Sequence, residues 1–139
     1  PDIMTVIVTD SGFAADDWNG GFCTLDSLPA NDCAGVDLPS DAEPEDLRAR
    51  LDGLSLIRVD FPSFADGRGF SIAAELRRMG YKGRLRAKGH VISDQYAMAR
   101  RVGFDEVEID DALAARQPEA EWLFRANWTE HDYQARLRG

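Results

Sequence analysis

A chain of 139 residues has the length of one domain and can bury a core without staples. Its 44% hydrophobic and 29% charged residues exclude global disorder, and no apolar run approaches the roughly 20 residues that cross a bilayer. The net charge of -9 argues against nucleic acid as a partner, because phosphate repels such a surface.

In chain order, residues 3–9 (IMTVIVT) form a short β-branched apolar run and predict a strand. The start, Pro1 to Asp10, has neither a basic region nor a long apolar stretch, so no signal peptide is expected, and the expected location is the cytoplasm. From Asp10 to Asn31 the chain is rich in Gly, Asp and Asn, with Trp18 and Phe22 as isolated anchors, and predicts a long loop or irregular hairpin. Cys23 and Cys33 fall in this loop-rich third and are expected as two free thiols of a reducing compartment, unmetallated because His90 and His131 show no zinc spacing to them. A brief strand at 36–38 leads to a helix over 44–51, where Pro44 suits the first turn. Residues 1–53 therefore form an irregular N-terminal part.

The next stretch is more regular. Residues 54–61 (LSLIRVDF) predict a strand, stopped by Pro62. Residues 70–79 predict an amphipathic helix closed by Gly80, and 83–87 a strand in which Arg84 and Arg86 share a face. Residues 93–102 predict a helix capped by Ser93 and stopped by Gly103, 104–109 (FDEVEI) an alternating strand, and 110–117 a last short helix. Residues 54–117 thus make a β-α repeat core, and 118–139, with Trp122, Phe124 and Trp128, an aromatic tail. The order implies one α/β domain whose mostly parallel sheet, open or half-barrel-like, is built from consecutive β-α units with right-handed crossovers. The chain is too short for a closed eight-unit barrel.

In such a sheet ligands bind beyond the carboxyl ends of the strands. Those ends carry Asp60, then Asp66-Gly67-Arg68-Gly69 opening a helix, then Lys88 and His90, then Asp94 and Gln95. Charge is segregated in the same region. Between Gly67 and Arg101 nine basic residues stand against Glu75 and Asp94, leaving +7 there and -16 elsewhere. The expected ligand is a small anion, held by Arg68, Arg86, Lys88 and His90 and supported by Asp60, Asp66, Gly67, Gly69, Asp94 and Gln95. The bland alternatives are an Asp66–Arg68 pair at a tight turn, ordinary ion pairs for Arg84 and Arg86, and Asp94 as a helix-start acid. No catalytic triad, metal set or cofactor fingerprint is evident.

The words FPSFADGRGFSIAAELRRMGYKGRLRAKGHVISDQ and RRVGFDEVEI resemble the bacterial domain of unknown function 934 family, over about residues 54–109. The resemblance rests on Phe61, Pro62, Phe64, Asp66, Gly67, Arg68, Gly69, Leu76, Arg77, Arg86, Ala87, Gly89, Asp94, Gln95, Arg101, Gly103, Phe104 and Asp105. The family's pattern often has an acid where this chain has His90, which argues against a family-wide catalytic role for that residue. Relatives are often encoded beside sulfite reductase, and some carry the label oxidoreductase. The resemblance therefore implies an accessory or anion-binding protein of assimilatory sulfate and sulfite reduction, with sulfite reductase or another enzyme of sulfur assimilation as partner. The competing expectation is a small oxidoreductase acting on an anionic metabolite. Self-association is compatible with either.

Overall fold

Alternation of apolar and charged residues along three central strands divides one sheet into two unlike faces. The computed structural model describes residues 5–26, 34–126 and 128. Seven strands, β1 (Thr5–Thr9), β2 (Gly12–Ala14), β3 (Cys23–Thr24), β4 (Gly35–Leu38), β5 (Leu56–Phe61), β6 (Arg84–Gly89) and β7 (Glu106–Asp110), form a sheet in the order β2-β1-β7-β6-β5-β4-β3. Strands β3 to β7 are parallel neighbours. The hairpin β1–β2 adds an antiparallel edge beside β7, so the sheet is mixed, though mostly parallel. A 3-10 helix (Pro44–Gly53) lies between β4 and β5. The helix α1 (Arg68–Arg78) lies between β5 and β6, and a 3-10 turn (Ser93–Gln95) continuing into α2 (Tyr96–Val102) lies between β6 and β7. Short helices α3 (Asp111–Arg116) and α4 (Glu119–Leu123) follow. No helix among the described residues is long and apolar enough to cross a membrane.

Strand side chains alternate between faces with period two. On one face Val8, Ile57, Val59, Phe61, Leu85, Ala87, Val107 and Ile109 join a single buried cluster with Ile72, Ala73, Leu76, Tyr96, Ala99, Leu113 and Trp122 from the helices. The other face carries Arg58 and Asp60 from β5, Arg84, Arg86 and Lys88 from β6, and Glu106 and Glu108 from β7, in cross-strand register. Ile7 and Leu56 also fall on this second face, and both are buried, yet neither belongs to the helix-side cluster. Something other than the helices therefore covers the charged face.

That cover is the segment 15–22. It leaves β2 at one edge of the sheet and enters β3 at the other. Six spacings of about 4.8 Å make roughly 29 Å, which nine residue steps of about 3.3 Å just span. The link must run near full extension, or the sheet must curl toward it. It crosses the charged face: Asp16 pairs with Arg86, Asp17 with Arg84, and the Phe22 ring lies 3.7 Å from the Arg58 guanidinium carbon. Gly35 permits the close approach, since a Cβ there would stand 2.7 Å from the Gly21 carbonyl oxygen and 3.0 Å from Trp18. The stretch expected as a long loop or irregular hairpin is thus two short strands joined by a strap.

The expectation of two free thiols needs correction. Cys23 is disulfide-bonded; Cys33 lies outside the described residues. Cys23 sits in a two-residue strand at the sheet's edge, where little core is available and a crosslink can substitute for burial. The expected strand over 3–9 is observed over 5–9, and positions 3 and 4 lie outside the described residues. Of the aromatic tail, residues 119–123 form α4, while 127 and 129–139 lie outside the described residues.

Candidate functional site

Parallel pairing of β5, β6 and β7 sets the basic and acidic residues of the charged face side by side. Arg86 stands between Arg58 on β5 and Glu106 on β7, and Lys88 between Asp60 and Glu108. Arg86 is 0% exposed, and its guanidinium is fully engaged. Its Nε donates to Glu106 at 2.6 Å, Nη1 to Glu108 at 2.9 Å and Nη2 to Asp16 at 3.0 Å. Arg58 donates to Asp37 at 2.8 Å and to Glu108 at 3.0 Å, and Arg84 to Glu106 at 2.8 Å and to Asp17 at 2.9 Å. Burial alone would lower the basicity of Arg86, but the carboxylates of Asp16 and Glu106 outweigh it and raise it. These three arginines form a closed ion-pair lattice with Asp16, Asp17, Asp37, Glu106 and Glu108. None offers a free fork to a ligand.

Lys88 is the fourth cation of this face. Neither it nor Arg116 meets an ion-pair or hydrogen-bond partner among the described residues. Lys88 lines two cavities at the carboxyl end of the strands. One, of about 390 Å³, is also lined by His90, Glu108, Asp110 and Arg116. The other, of about 430 Å³, is lined by Thr24, Asp26, Asp37 and Asp60. Gly89 sets the geometry at His90. Its φ of +113° is one that glycine adopts without strain, and a Cβ there would stand 2.7 Å from the Phe61 carbonyl oxygen. The turn lets the His90 amide donate to that oxygen at 2.9 Å, while the Phe64 ring meets the imidazole edge-on at 5.2 Å. The two acids of the His90 cavity already have partners. Glu108 accepts from Arg58 and Arg86, and Asp110 caps α3 by accepting from the Leu113 amide at 2.8 Å. Three nitrogen-bearing side chains, those of Lys88, His90 and Arg116, therefore share one cavity with two engaged carboxylates, an arrangement suited to an anion.

The remaining expected site residues lie elsewhere. Arg68, Arg86 and Asp94 do not border one pocket. Arg68 donates to Asp66 at 2.7 Å and to Ser40 at 2.8 Å, beside a cavity between the 3-10 helix and α1. The short-range pair at the turn is the arrangement found, and it holds the Asp66 carboxyl far below the usual range. Gly67 precedes α1, and Gly69 lets α1 approach β5, since a Cβ there would meet the Phe61 ring at 2.4 Å. Asp94, in the 3-10 turn before α2, pairs with Arg125, which follows α4. Gln95 accepts from the Ile92 amide at 3.0 Å and donates to the Phe64 carbonyl at 3.1 Å, closing the turn before α2. Asp60 is exposed and lines the second cavity beside Lys88. Of the ten residues, Lys88 and His90 share one cavity and Lys88 and Asp60 another. Arg116 had no sequence signal beyond a basic residue in a helix's last turn, which ordinarily reads as complementing the dipole.

A family model for a bacterial protein of unknown function, DUF934, matches residues 35–139. The chain belongs to the DUF934 family. No curated protein matches it significantly. Much of what makes the chain recognisable as a DUF934 member is scaffold. Arg77 donates to the carbonyls of Tyr81, Gly83 and Gly103 and to Asp105. A Cβ on Gly103, whose φ is +118°, would stand 2.6 Å from Arg77 Cγ. The strap, by contrast, lies outside the matched residues.

The strap and the N-terminal hairpin contribute to the chain's acid sensitivity, alongside Asp66. Burial alone would raise the Asp10 carboxyl, but hydrogen bonds from Arg100, Tyr96 and Trp128 outweigh it and hold it below its ordinary value. Burial would likewise raise Asp16, and the bonds from Arg86 and the Trp18 amide outweigh it. With folded values below the unfolded value near ~4, both contribute fully above that pH, and the contribution is lost as pH falls through the folded values. Urea midpoints should therefore drop below about pH 4, and Asp10→Asn with Asp16→Asn should flatten that limb. An unchanged acid limb in the double variant would show that neither carboxylate is coupled to folding.

Proposed function

We propose that the protein binds a small oxyanion in the cavity lined by Lys88, His90 and Arg116, as an accessory protein of sulfate and sulfite reduction. One observation carries the binding half. On a sheet face where Arg58, Arg84 and Arg86 are all engaged by carboxylates, Lys88 has no ion-pair partner among the described residues, and it shares a cavity with Arg116, which has none among them either. The sulfur context comes with the family resemblance, and so does the choice of sulfite reductase as partner. A cytoplasmic location goes with that context; the Cys23 disulfide weighs against a reducing compartment.

The binding half is tested by thermal unfolding with added sulfate, at ionic strength matched with chloride so that general screening cancels. Sulfate is the better probe because sulfite cleaves disulfides. Wild type should gain stability with sulfate, and Arg116→Gln should weaken binding by about 1–2 kcal/mol, the range of a charge-assisted hydrogen bond at a partly exposed site. Loss of the sulfate effect in Arg68→Ala but not in Arg116→Gln would refute the assignment. The partner half is tested by retention of sulfite reductase on the tagged protein from cells growing on sulfate.

A further inference from the structure

The chain has fourteen arginines and two lysines, Lys82 and Lys88. On the charged sheet face the composition changes at one position only: Arg58, Arg84 and Arg86 are arginines, and Lys88 is not. The difference is chemical. A guanidinium stays protonated in proteins, whereas an amine can release its proton and attack a carbonyl. Lys88 is half-buried at the carboxyl end of β6, in register with Asp60 on one side and Glu108 on the other, yet it ion-pairs with neither. It lines both cavities at that edge. The amine thus stands between a space that holds Arg116 and His90 and a space that holds Asp60.

We propose that Lys88 is the amine of a Schiff-base site for a small oxo acid whose carboxylate is held by Arg116 and His90. This rests on the anion-site reading above and adds the covalent step. The Lys88 Nζ lone pair attacks the carbonyl carbon, and a C–N bond forms. The carbonyl electron pair moves to oxygen, which takes up a proton. The nitrogen gives up a proton, and the carbinolamine then takes a second proton on its hydroxyl and loses water to leave an iminium ion. Asp60 and His90, in the adjoining cavities, are the groups placed to exchange those protons. No oxidant or reductant takes part, and water reverses the step. The iminium draws electrons from the neighbouring carbon, which supports exchange of the protons on that carbon or, in a 3-oxo acid whose carboxylate is borne on that carbon, its loss as carbon dioxide.

The test is reductive trapping with pyruvate as probe and cyanoborohydride as trapping reagent on the full chain, read by intact mass and peptide mapping. Lys82, exposed in the link between α1 and β6, is the built-in control for unselective labelling. The expected result is one reduced adduct on Lys88, formed at least about tenfold faster than on Lys82 and suppressed by sulfate. Lys88→Arg should abolish it, with a far-UV circular dichroism spectrum and a urea midpoint near those of wild type showing that the variant folded. Arg116→Gln should raise the pyruvate concentration needed for half-maximal labelling. Equal labelling of the two lysines, or none, would overturn the proposal. Sulfate stabilisation without an adduct would overturn the Schiff base and leave the anion site standing. Selective labelling of Lys88 that sulfate neither suppresses nor accompanies with stabilisation would uphold the amine chemistry and overturn the anion reading.

Discussion

Replacing Arg86 by alanine is expected to destabilise the protein by about 3–5 kcal/mol, the range for removing one partner of a buried ion pair. The guanidinium is wholly buried, and the carboxylates it meets on β7, Glu106 and Glu108, are 6% and 4% exposed. Without Arg86 each glutamate keeps a single arginine, Arg84 or Arg58, and the two carboxylates stand two residues apart on the same face with less charge between them. The lattice is not a large net source of stability in itself, because bringing its charges out of water costs about as much as their attraction returns. Its cost appears when it is broken unevenly. Two further variants separate these effects. Arg86→Lys should recover only part of the loss, since one ammonium cannot serve three carboxylates in the fork geometry of a guanidinium. Arg86→Met combined with Glu106→Gln and Glu108→Gln should be more stable than Arg86→Ala, because no charge is left buried without its counterpart. Urea unfolding measures all three. A loss below about 1 kcal/mol in Arg86→Ala would mean that water reaches this face and that the strap does not cover it.

Trp122→Ala is expected to cost about 3–5 kcal/mol, the range for removing a large buried aromatic side chain. Trp122 is 1% exposed. Its ring meets Tyr96 edge-on at 6.1 Å, and its Nε1 donates to the Gln117 carbonyl at 2.8 Å. The helix it belongs to has five residues, far below the length at which an isolated helix holds in water. Its position is therefore set by this side chain, by the Phe13 amide donating to Glu119 at 2.8 Å and by the Arg125–Asp94 pair. Trp122→Phe keeps the apolar contact and loses the hydrogen bond, so it should retain more than half of the stability at stake. A melting temperature unchanged in Trp122→Ala would place residues 119–123 outside the folding unit.

The central strands and α1 were legible because their signals are local. Alternation in LIRVDF, RLRAKG and FDEVEI and the Ile72–Leu76 stripe of α1 each report one buried face, and one face is what the helices cover. The other face was not legible, because what covers it comes from elsewhere in the chain. Glu106 and Glu108 read as the solvent side of an ordinary half-buried strand. Their burial depends on Asp16, Trp18 and Phe22 arriving from a segment about 90 residues away in sequence, and the Asp16–Arg86 ion pair that fixes it spans 70 residues. The shared face of Arg84 and Arg86 was readable from spacing, and the choice between an anion site and ion pairs was not. Arg68 illustrates the same limit at short range. A glycine-flanked basic residue at a helix start suits an anion and suits a neighbouring aspartate equally, and Asp66 is two residues away. Lys88 and His90 were identified by their position at a strand's carboxyl end, a rule that depends on topology alone. Arg116 was missed because the short α3 brings the end of a helix back to the strand edge, which no periodicity encodes.

Crystals soaked in selenate, an isostere of sulfate whose selenium is located by anomalous scattering, test the central assignment most directly. A selenium site is expected in the cavity at the carboxyl end of β6, with oxygens within hydrogen-bond reach of Lys88, Arg116 and His90, and none between Arg86 and the strap. Selenium bound at Arg68 instead, or an empty Lys88 cavity at concentrations that stabilise the protein in solution, would contradict that assignment.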